Sequence, residues 1–156
     1  MTLQELLKRP VRLVITNDVH KDVVDVASPI YTLINKAVEL IQGANSLNFL
    51  IVVTSGPTLK TEAVITNRES SQLVDFLISE VAKPDSTTAT PVSGLNLGTV
   101  LPPKFVVNRD TDTIQKAYDL LQSNVTDIVV AVDNEGNYVG KIKRNEFYET
   151  MKSLLG

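Results

Sequence analysis

Between Phe105 and the C-terminus the spacing of apolar residues switches several times between the strand period and the helix period. Phe105-Val106-Val107 is a short apolar run, and the polar stretch Asn108 to Thr113 follows it as a helix start. Ile114, Ala117, Leu120, Leu121 and Val125 then recur at steps of three and four, which places them on one helical face. Ile128 to Val132 (IVVAV) is apolar throughout and short enough for a buried strand. Asp133-Asn134-Glu135-Gly136 supplies residue types that tolerate the backbone angles of a tight hairpin. Tyr138, Gly140 and Ile142 alternate as a second strand, and Lys143-Arg144-Asn145-Glu146 leads into a closing helix to Leu155. The predicted order is strand, helix, strand, hairpin, strand, helix.

A similar order runs from about Val24 to Ser79. Ser28 and Pro29 suit the cap and first turn of a helix, whose buried stripe is predicted to be Ile30, Leu33, Ala37, Leu40, Ile41 and Ala44. Phe49 to Val53 reads as the buried strand, Ser55-Gly56-Pro57 as the turn, and Glu62 to Thr66 as the next strand. Asn67 to Glu69 opens a helix that carries Leu73, Phe76 and Leu77 inward. Ahead of this block, Thr2 to Lys8 is predicted to be a short helix with Thr2 as N-cap and Glu5 three residues on, ended by Pro10. Val11, Leu13 and Ile15 alternate and predict a strand, and Thr16 to Asp22 is turn-like. Lys83 to Leu101 (KPDSTTATPVSGLNLGTVL) holds no sustained period and predicts a loop, and Pro102-Pro103 enters the next block in extended form.

The two blocks superimpose along the sequence. At an offset of 80, which lays Ala37 on Ala117, Asp25–Pro29 covers Phe105–Arg109 and Ile34–Ile41 covers Ile114–Leu121. The same offset lays Phe49–Val53 on Val129–Asp133 and Gly56 on Gly136. Three extra residues in the first hairpin lower the offset to 77, and Ala63-Val64-Ile65-Thr66-Asn67-Arg68-Glu69 then covers Gly140-Lys141-Ile142-Lys143-Arg144-Asn145-Glu146. Four blocks in one order indicate a duplicated module.

The inner-face alanine, the apolar strand, the Asp-x-x-Gly hairpin and the Gly-x-Ile-x-x-x-acid ending resemble the cystathionine-β-synthase (CBS) domain. AVDNEGNYVGKIKRNEF carries the likeness in the second copy and AVITNRES in the first. The resemblance implies a tandem CBS pair, a Bateman module: an α/β (α+β) fold of two βαββα repeats packed about a pseudo-twofold axis. Its expected organisation is a lead-in over 1–23, repeat one over 24–82, a linker over 83–103 and repeat two over 104–156. It implies clefts between the repeats that bind an adenine nucleotide (AMP, ADP or ATP) or S-adenosylmethionine. In the family an acid at the start of the last helix takes the ribose hydroxyls, and a Ser or Thr three positions earlier assists. A carboxylate suits a vicinal diol because it accepts two hydrogen bonds and donates none.

Carried onto this chain, repeat one offers Thr66 and Glu69, with Glu where Asp is commoner. Repeat two offers Lys143 and Glu146, so a cation replaces the hydroxyl. Lys141, Lys143, Arg144 and Arg68 are candidates for positive charge near phosphates. Val26, Ala27, Val64 and Ile65 in repeat one, with Val106, Val107 and Ile142 in repeat two, are candidates for an apolar slot for adenine. The alternative for the two glutamates is simple stabilisation of a first helical turn. The resemblance also implies a homodimer formed through the helices, with the Ile114 side or the Leu73/Phe76 side buried, and a partner protein that reads the ligand state. The competing expectation is a ligand-free scaffold that keeps the fold for dimerisation, which the departures at Lys143 and the two glutamates favour.

Composition narrows the remaining classes. A formal net charge of −3 gives no broad electrostatic reason for binding nucleic acid or an anionic membrane. No apolar run reaches a membrane span and the start does not read as a signal peptide, so the expected location is cytoplasmic. The absence of cysteine removes disulfides and thiol chemistry. His20, the one histidine, stands among Asp18, Lys21 and Asp22 and reads as a surface residue. Asp110-x-Asp112 reads as helix-capping acids rather than a metal pair, and Asp133-Asn134-Glu135-Gly136 lacks the other ligands of a calcium loop. Nothing pairs a nucleophile with a base, so neither an enzyme nor a required cofactor is expected.

Overall fold

The computed structural model describes residues 1–17, 23–42, 50–66, 69–84, 90–97, 105–122 and 126–156, with the backbone alone at Leu40, Leu50, Ile51 and Ser70. Expectations for Asp18 to Asp22 (His20 among them), Ala44, Phe49, Asn67, Arg68, Pro102-Pro103 and Val125 lie outside the described residues. Among those residues the elements are α1 (Leu3–Leu7), β1 (Val23–Asp25), α2 (Ile30–Gln42), β2 (Leu50–Ser55), β3 (Lys60–Thr66), α3 (Ser70–Val81), β4 (Val106–Asn108), α4 (Ile114–Gln122), β5 (Ile128–Val132), β6 (Tyr138–Lys143) and α5 (Arg144–Leu155). By contacts the chain divides into two units, His20–Lys104 and Met1–Val19 together with Phe105–Gly156. The first holds repeat one and the second holds repeat two.

Each unit contains a three-stranded sheet with the same topology: the first strand parallel to the second, the second antiparallel to the third. Val24 pairs with Val53 and Val53 with Ala63; Val107 pairs with Ala131 and Ala131 with Gly140. The hairpin register shifts at the same place in both, between Val53 and Thr54 and between Ala131 and Val132. Alternation sends one set of side chains to the helices. In the first unit Val24, Val53, Ala63 and Ile65 pack with Ile30, Leu33, Ala37, Leu73 and Leu77. In the second Val107, Val129, Ala131 and Ile142 pack with Ile114, Ala117, Leu121, Phe147 and Met151.

Strand pairing gives a different correspondence from the sequence offset. Val53 is equivalent to Ala131, an offset of 78, and Val24 to Val107, an offset of 83. Buried Ile30, Leu33 and Ala37 match Ile114, Ala117 and Leu121 in burial and spacing, an offset of 84. Only the last block, Ala63 with Gly140 and Thr66 with Lys143, keeps the expected offset of 77. The first hairpin therefore carries one extra residue, not three. The slip of two along the second strand and of about one turn along the helix leave the buried face unchanged, so apolar pattern alone does not see them; the slip of three along the first strand exchanges its faces.

The segments between the repeats hold the larger departures. Val11–Val14 and Val92–Leu95 are 3₁₀ turns, where alternation predicts a strand and composition predicts a loop. Val11 and Val14 are buried three residues apart while Leu13 is 47% exposed, a three-residue period that a strand cannot produce. Val92 and Leu95 repeat that spacing. In the second unit the Val11 N–H donates to the Asp112 carbonyl and the Ile114 N–H to the Arg9 carbonyl, at 3.0 and 2.9 Å. In the first, the Val92 N–H donates to Ser28 and the Ile30 N–H to Thr90, both at 2.8 Å. Pro10 bridges Thr113 as Pro91 bridges Pro29. The lead-in is thus the opening segment of repeat two, and part of the linker is the opening segment of repeat one.

The lead-in docks by burial and by pairing. α1 forms where expected, with Thr2 and Glu5 completing a capping box, and it buries Leu6 and Leu7 in the core of the second unit. Val11 and Val14 join the same core, each buried aliphatic contributing about 1.5–3 kcal/mol before entropy costs. Thr16 then pairs with Lys141, its N–H to the Lys141 carbonyl at 2.9 Å and the return bond at 3.0 Å.

Two expectations about exposed faces are corrected. Ile41 is 38% exposed rather than buried in the α2 stripe. Leu73 and Ile114 are fully buried in their own cores and are not available to the expected dimer face, while Phe76 is only partly buried. Among the described residues the large apolar side chains left exposed on helices are Tyr31, Ile41, Ile78, Tyr148, Leu154 and Leu155, with Leu3 on α1.

Gly140 sits under the docked lead-in. A Cβ there would lie 2.6 Å from Ile15 Cγ2 and 2.6 Å from the Thr16 carbonyl oxygen, and backbone cannot yield as a side-chain tip can. Gly140→Ala is expected to destabilise the protein by about 1–3 kcal/mol, seen as a lower urea midpoint. A midpoint equal to that of the unaltered protein would contradict the packing of this segment.

Candidate functional site

In the first unit β3 ends at Thr66 and α3 begins just beyond Glu69. Ala63 and Ile65 face the helices, so alternation turns Val64 and Thr66 to the opposite face of the sheet, where they are 8% and 9% exposed. Glu69 is the residue before the first helical turn of α3, and its own N–H donates to the Thr66 carbonyl at 3.1 Å. Its carboxylate folds back onto Thr66: Oε2 accepts the Thr66 N–H at 3.0 Å and also the Thr66 hydroxyl. The structure therefore brings together the Thr and Glu that the sequence singles out. The product is an acceptor-rich group, fixed by its own turn, at the positive end of a twelve-residue helix.

The equivalent junction of the second unit is built differently. Lys143 stands where Thr66 stands, half-buried, and offers no hydroxyl. Glu146 lies in the first turn of α5. Its Oε2 accepts a hydrogen bond from the hydroxyl of Thr16, at 3.2 Å. Thr16 is 130 residues away in sequence and is carried there by its backbone pairing with Lys141. Thr16 is the site residue that sequence reasoning misses, since no local motif contains it.

The predicted cations fall into different environments. Lys141 is only 5% exposed, on the face of β6 opposite Ile142. The Arg144 guanidinium lies 2.9 Å from the Asp127 carboxylate and donates to the Thr126 carbonyl at 2.7 Å, while the Arg144 N–H donates to the Asp127 carbonyl at 2.8 Å. Arg144 therefore ties the segment before β5 to the head of α5, and its charge is matched there. Lys143 remains as a half-buried cation three residues before Glu146.

The apolar candidates divide as well. Ile65, Val107 and Ile142 are 0%, 0% and 1% exposed within the helix-facing cores, so core packing uses them fully. Val64 and half-buried Val106 lie on the opposite faces of their sheets. Val26 packs partly on the first core, and the Ala27 N–H donates to the Asp25 carboxylate at 2.7 Å.

The two remaining acidic motifs are turn-forming. Asp112 accepts the Asn108 N–H at 2.6 Å and pairs with Lys116 at 3.2 Å, and Asp110 accepts the Asn134 N–H at 3.2 Å. Asp133 closes the second hairpin, its carboxylate accepting the N–H groups of Glu135 and Asn137, both at 2.9 Å, and the Asn137 side-chain amide at 3.1 Å. Gly136 takes the positive φ of 85° that this turn requires. Among the described residues no group of three or more His, Cys, Asp or Glu side chains is placed to hold a metal ion.

No family model matches the sequence. No curated protein matches it either. Solved structures match along nearly the whole chain at low identity. CBSX2 in complex with AMP is 17% identical, covering 95% of this chain and 99% of that one, with a TM-score of 0.61. CbpB in complex with c-di-AMP is 11% identical over 97% of this chain and 90% of that one, with a TM-score of 0.64. The CBS domain of a bacterial CNNM/CorC family Mg2+ transporter in complex with ATP is 15% identical over 96% and 92%, with a TM-score of 0.56.

The Asp133 turn has a pH signature. Donation from the Asn137 backbone N–H, opposed by burial and helped by the Asn137 side chain, the Glu135 N–H and the charge of Arg109, holds its carboxyl below the ordinary range. A carboxylate depressed on folding adds stability that is complete above its unfolded pKa of about 3.9 and is lost as pH falls through the folded value. The stability gap between the unaltered protein and Asp133→Asn is therefore expected to be constant above about pH 5 and to narrow on acidification below about pH 4. Urea titrations across that range measure it, and a gap that widens with acid would contradict the assignment.

Proposed function

We propose that this chain, which has the fold of a CBS domain pair, is a nucleotide-sensing regulatory module. The observation that carries the reading is the head of α3, where Thr66 and Glu69 present a hydroxyl and a carboxylate side by side at a helix start. An adenine nucleotide (AMP, ADP or ATP) or S-adenosylmethionine offers a vicinal diol to such a carboxylate, which accepts two hydrogen bonds. Glu146, held by Thr16 and preceded by Lys143, forms the corresponding group at the head of α5. Lys143, with Arg68 in the first repeat, favours a phosphorylated ligand over an uncharged nucleoside. The neighbours solved with AMP, ATP and c-di-AMP support this ligand class.

Signalling follows if the ligand has unequal affinity for two arrangements of the protein, the only way in which binding shifts a population. A partner protein would read that shift. We further propose a cytoplasmic homodimer that uses the exposed helix residues Tyr31, Ile78 and Tyr148. No described helix is long and apolar enough to cross a membrane. No catalytic role is assigned to any residue.

A second reading is a scaffold that binds no nucleotide. It is favoured by the Glu69 carboxylate, whose Oε2 is already occupied by two donors from Thr66, and by the lysine at position 143. A thermal-shift panel of AMP, ADP, ATP, S-adenosylmethionine and NAD separates the two. A ligand at 100 times its dissociation constant adds about 2.7 kcal/mol, a displacement of several degrees in melting temperature. Glu69→Ala is expected to abolish the part of the displacement that arises at the first repeat, and Glu146→Ala the part from the second. Flat melting curves across the panel at millimolar ligand would decide for the scaffold.

A further inference from the structure

We infer that Thr16 is the positioning residue for the Glu146 carboxylate, so that ligand affinity at the second repeat is set by docking of the N-terminal segment. This rests on the nucleotide reading above and adds the regulation of one of its two sites. In the first repeat the glutamate is held locally, because Thr66 gives both its N–H and its hydroxyl to Glu69. In the second, position 143 is lysine and that local hydroxyl is missing. Among the described residues the Glu146 carboxylate accepts from the Thr16 hydroxyl alone, which arrives from the other end of the chain.

Thr16 reaches that position through three independent constraints. Its N–H and carbonyl pair with Lys141, the residue two before Lys143. Ile15 packs on the core of the second unit beside buried Val14. Gly140 leaves the room, since any larger residue would strike both Ile15 and Thr16. A long glutamate side chain without a partner samples several rotamers, and fixing it costs entropy that a bound ligand would otherwise have to supply. The docked Thr16 removes part of that cost in advance. Detaching the segment removes the help at Glu146 and leaves the Thr66–Glu69 turn untouched, so the two repeats respond differently to anything that engages residues 1–17.

Calorimetric titration of ATP tests this on the full chain, with Glu69→Ala as the parent so that only the second repeat binds. Adding Thr16→Val is expected to weaken ATP about five- to tenfold, the net effect of an ordinary solvent-accessible hydrogen bond. Thr16→Ser keeps the hydroxyl and is expected to restore the parent affinity. Adding Lys143→Thr to the Thr16→Val variant restores a local hydroxyl, as at Thr66, and is expected to recover part of it. In the Glu146→Ala background, where the first repeat binds, Thr16→Val is expected to change nothing. Equal affinity with valine and threonine at position 16 would overturn the inference, as would equal losses in both backgrounds. A Glu69→Ala parent that binds no ATP, beside an unaltered protein that does, would overturn it and leave the proposed function at the first repeat. An unaltered protein that binds no ATP would remove both.

Discussion

Each unit of this molecule closes its core with a segment that lies outside its own βαββα repeat. A three-stranded sheet and two helices leave one end of the apolar interior uncovered. Val11 and Val14 cover it in the second unit, and Val92 and Leu95 do so in the first. The surrounding hydrogen bonds are nearly the same in the two places, as are the 3₁₀ turns and the proline that precedes each. The arrangement follows from burial: without these segments a buried helix start would keep unpaired N–H groups at Ile30 and Ile114. It also explains why the chain needs a lead-in before its first strand and why its linker is long.

The docked lead-in creates the difference between the two candidate sites. Repeat one keeps its hydroxyl and its carboxylate on one turn, three residues apart, so the pair survives any movement elsewhere. Repeat two has lost the local hydroxyl and takes one from the borrowed segment. With Lys143 where the first repeat has a hydroxyl, the contact to the carboxylate is long-range rather than local, and Arg144 forms an ion pair that fastens the segment ahead of β5.

Much of the fold was legible from periodicity. The β-strands of both hairpins, the inward faces of α3 and α4, the capping box at Thr2 and the turns at Gly56 and Gly136 follow from local residue chemistry. The correspondence between repeats was less legible, because slips that preserve the buried face leave the apolar pattern intact; α2 was matched to α4 about one turn out. The 3₁₀ turns were misread for the opposite reason. Val11, Leu13 and Ile15 satisfy alternation while Val11 and Val14 satisfy a three-residue step, and only the core they meet selects the second pattern. Of the site, Thr66 and Glu69 were legible since they lie on one turn. Thr16 was not, because its role depends on a strand pairing with Lys141 that no local signal encodes.

Native-state hydrogen exchange on the intact protein tests the role of these closing segments most directly, at the amides of Val11, Thr16 and Val92. Each donates to a carbonyl in the unit it closes. If these segments complete the cores, their amides should be protected to within about tenfold of the strand amides of the unit each one closes, β5 and β6 for Val11 and Thr16 and β2 and β3 for Val92. Exchange at the rate of an unstructured chain, while those strands stay protected, would show that the segments are surface tails and that each repeat closes its core alone.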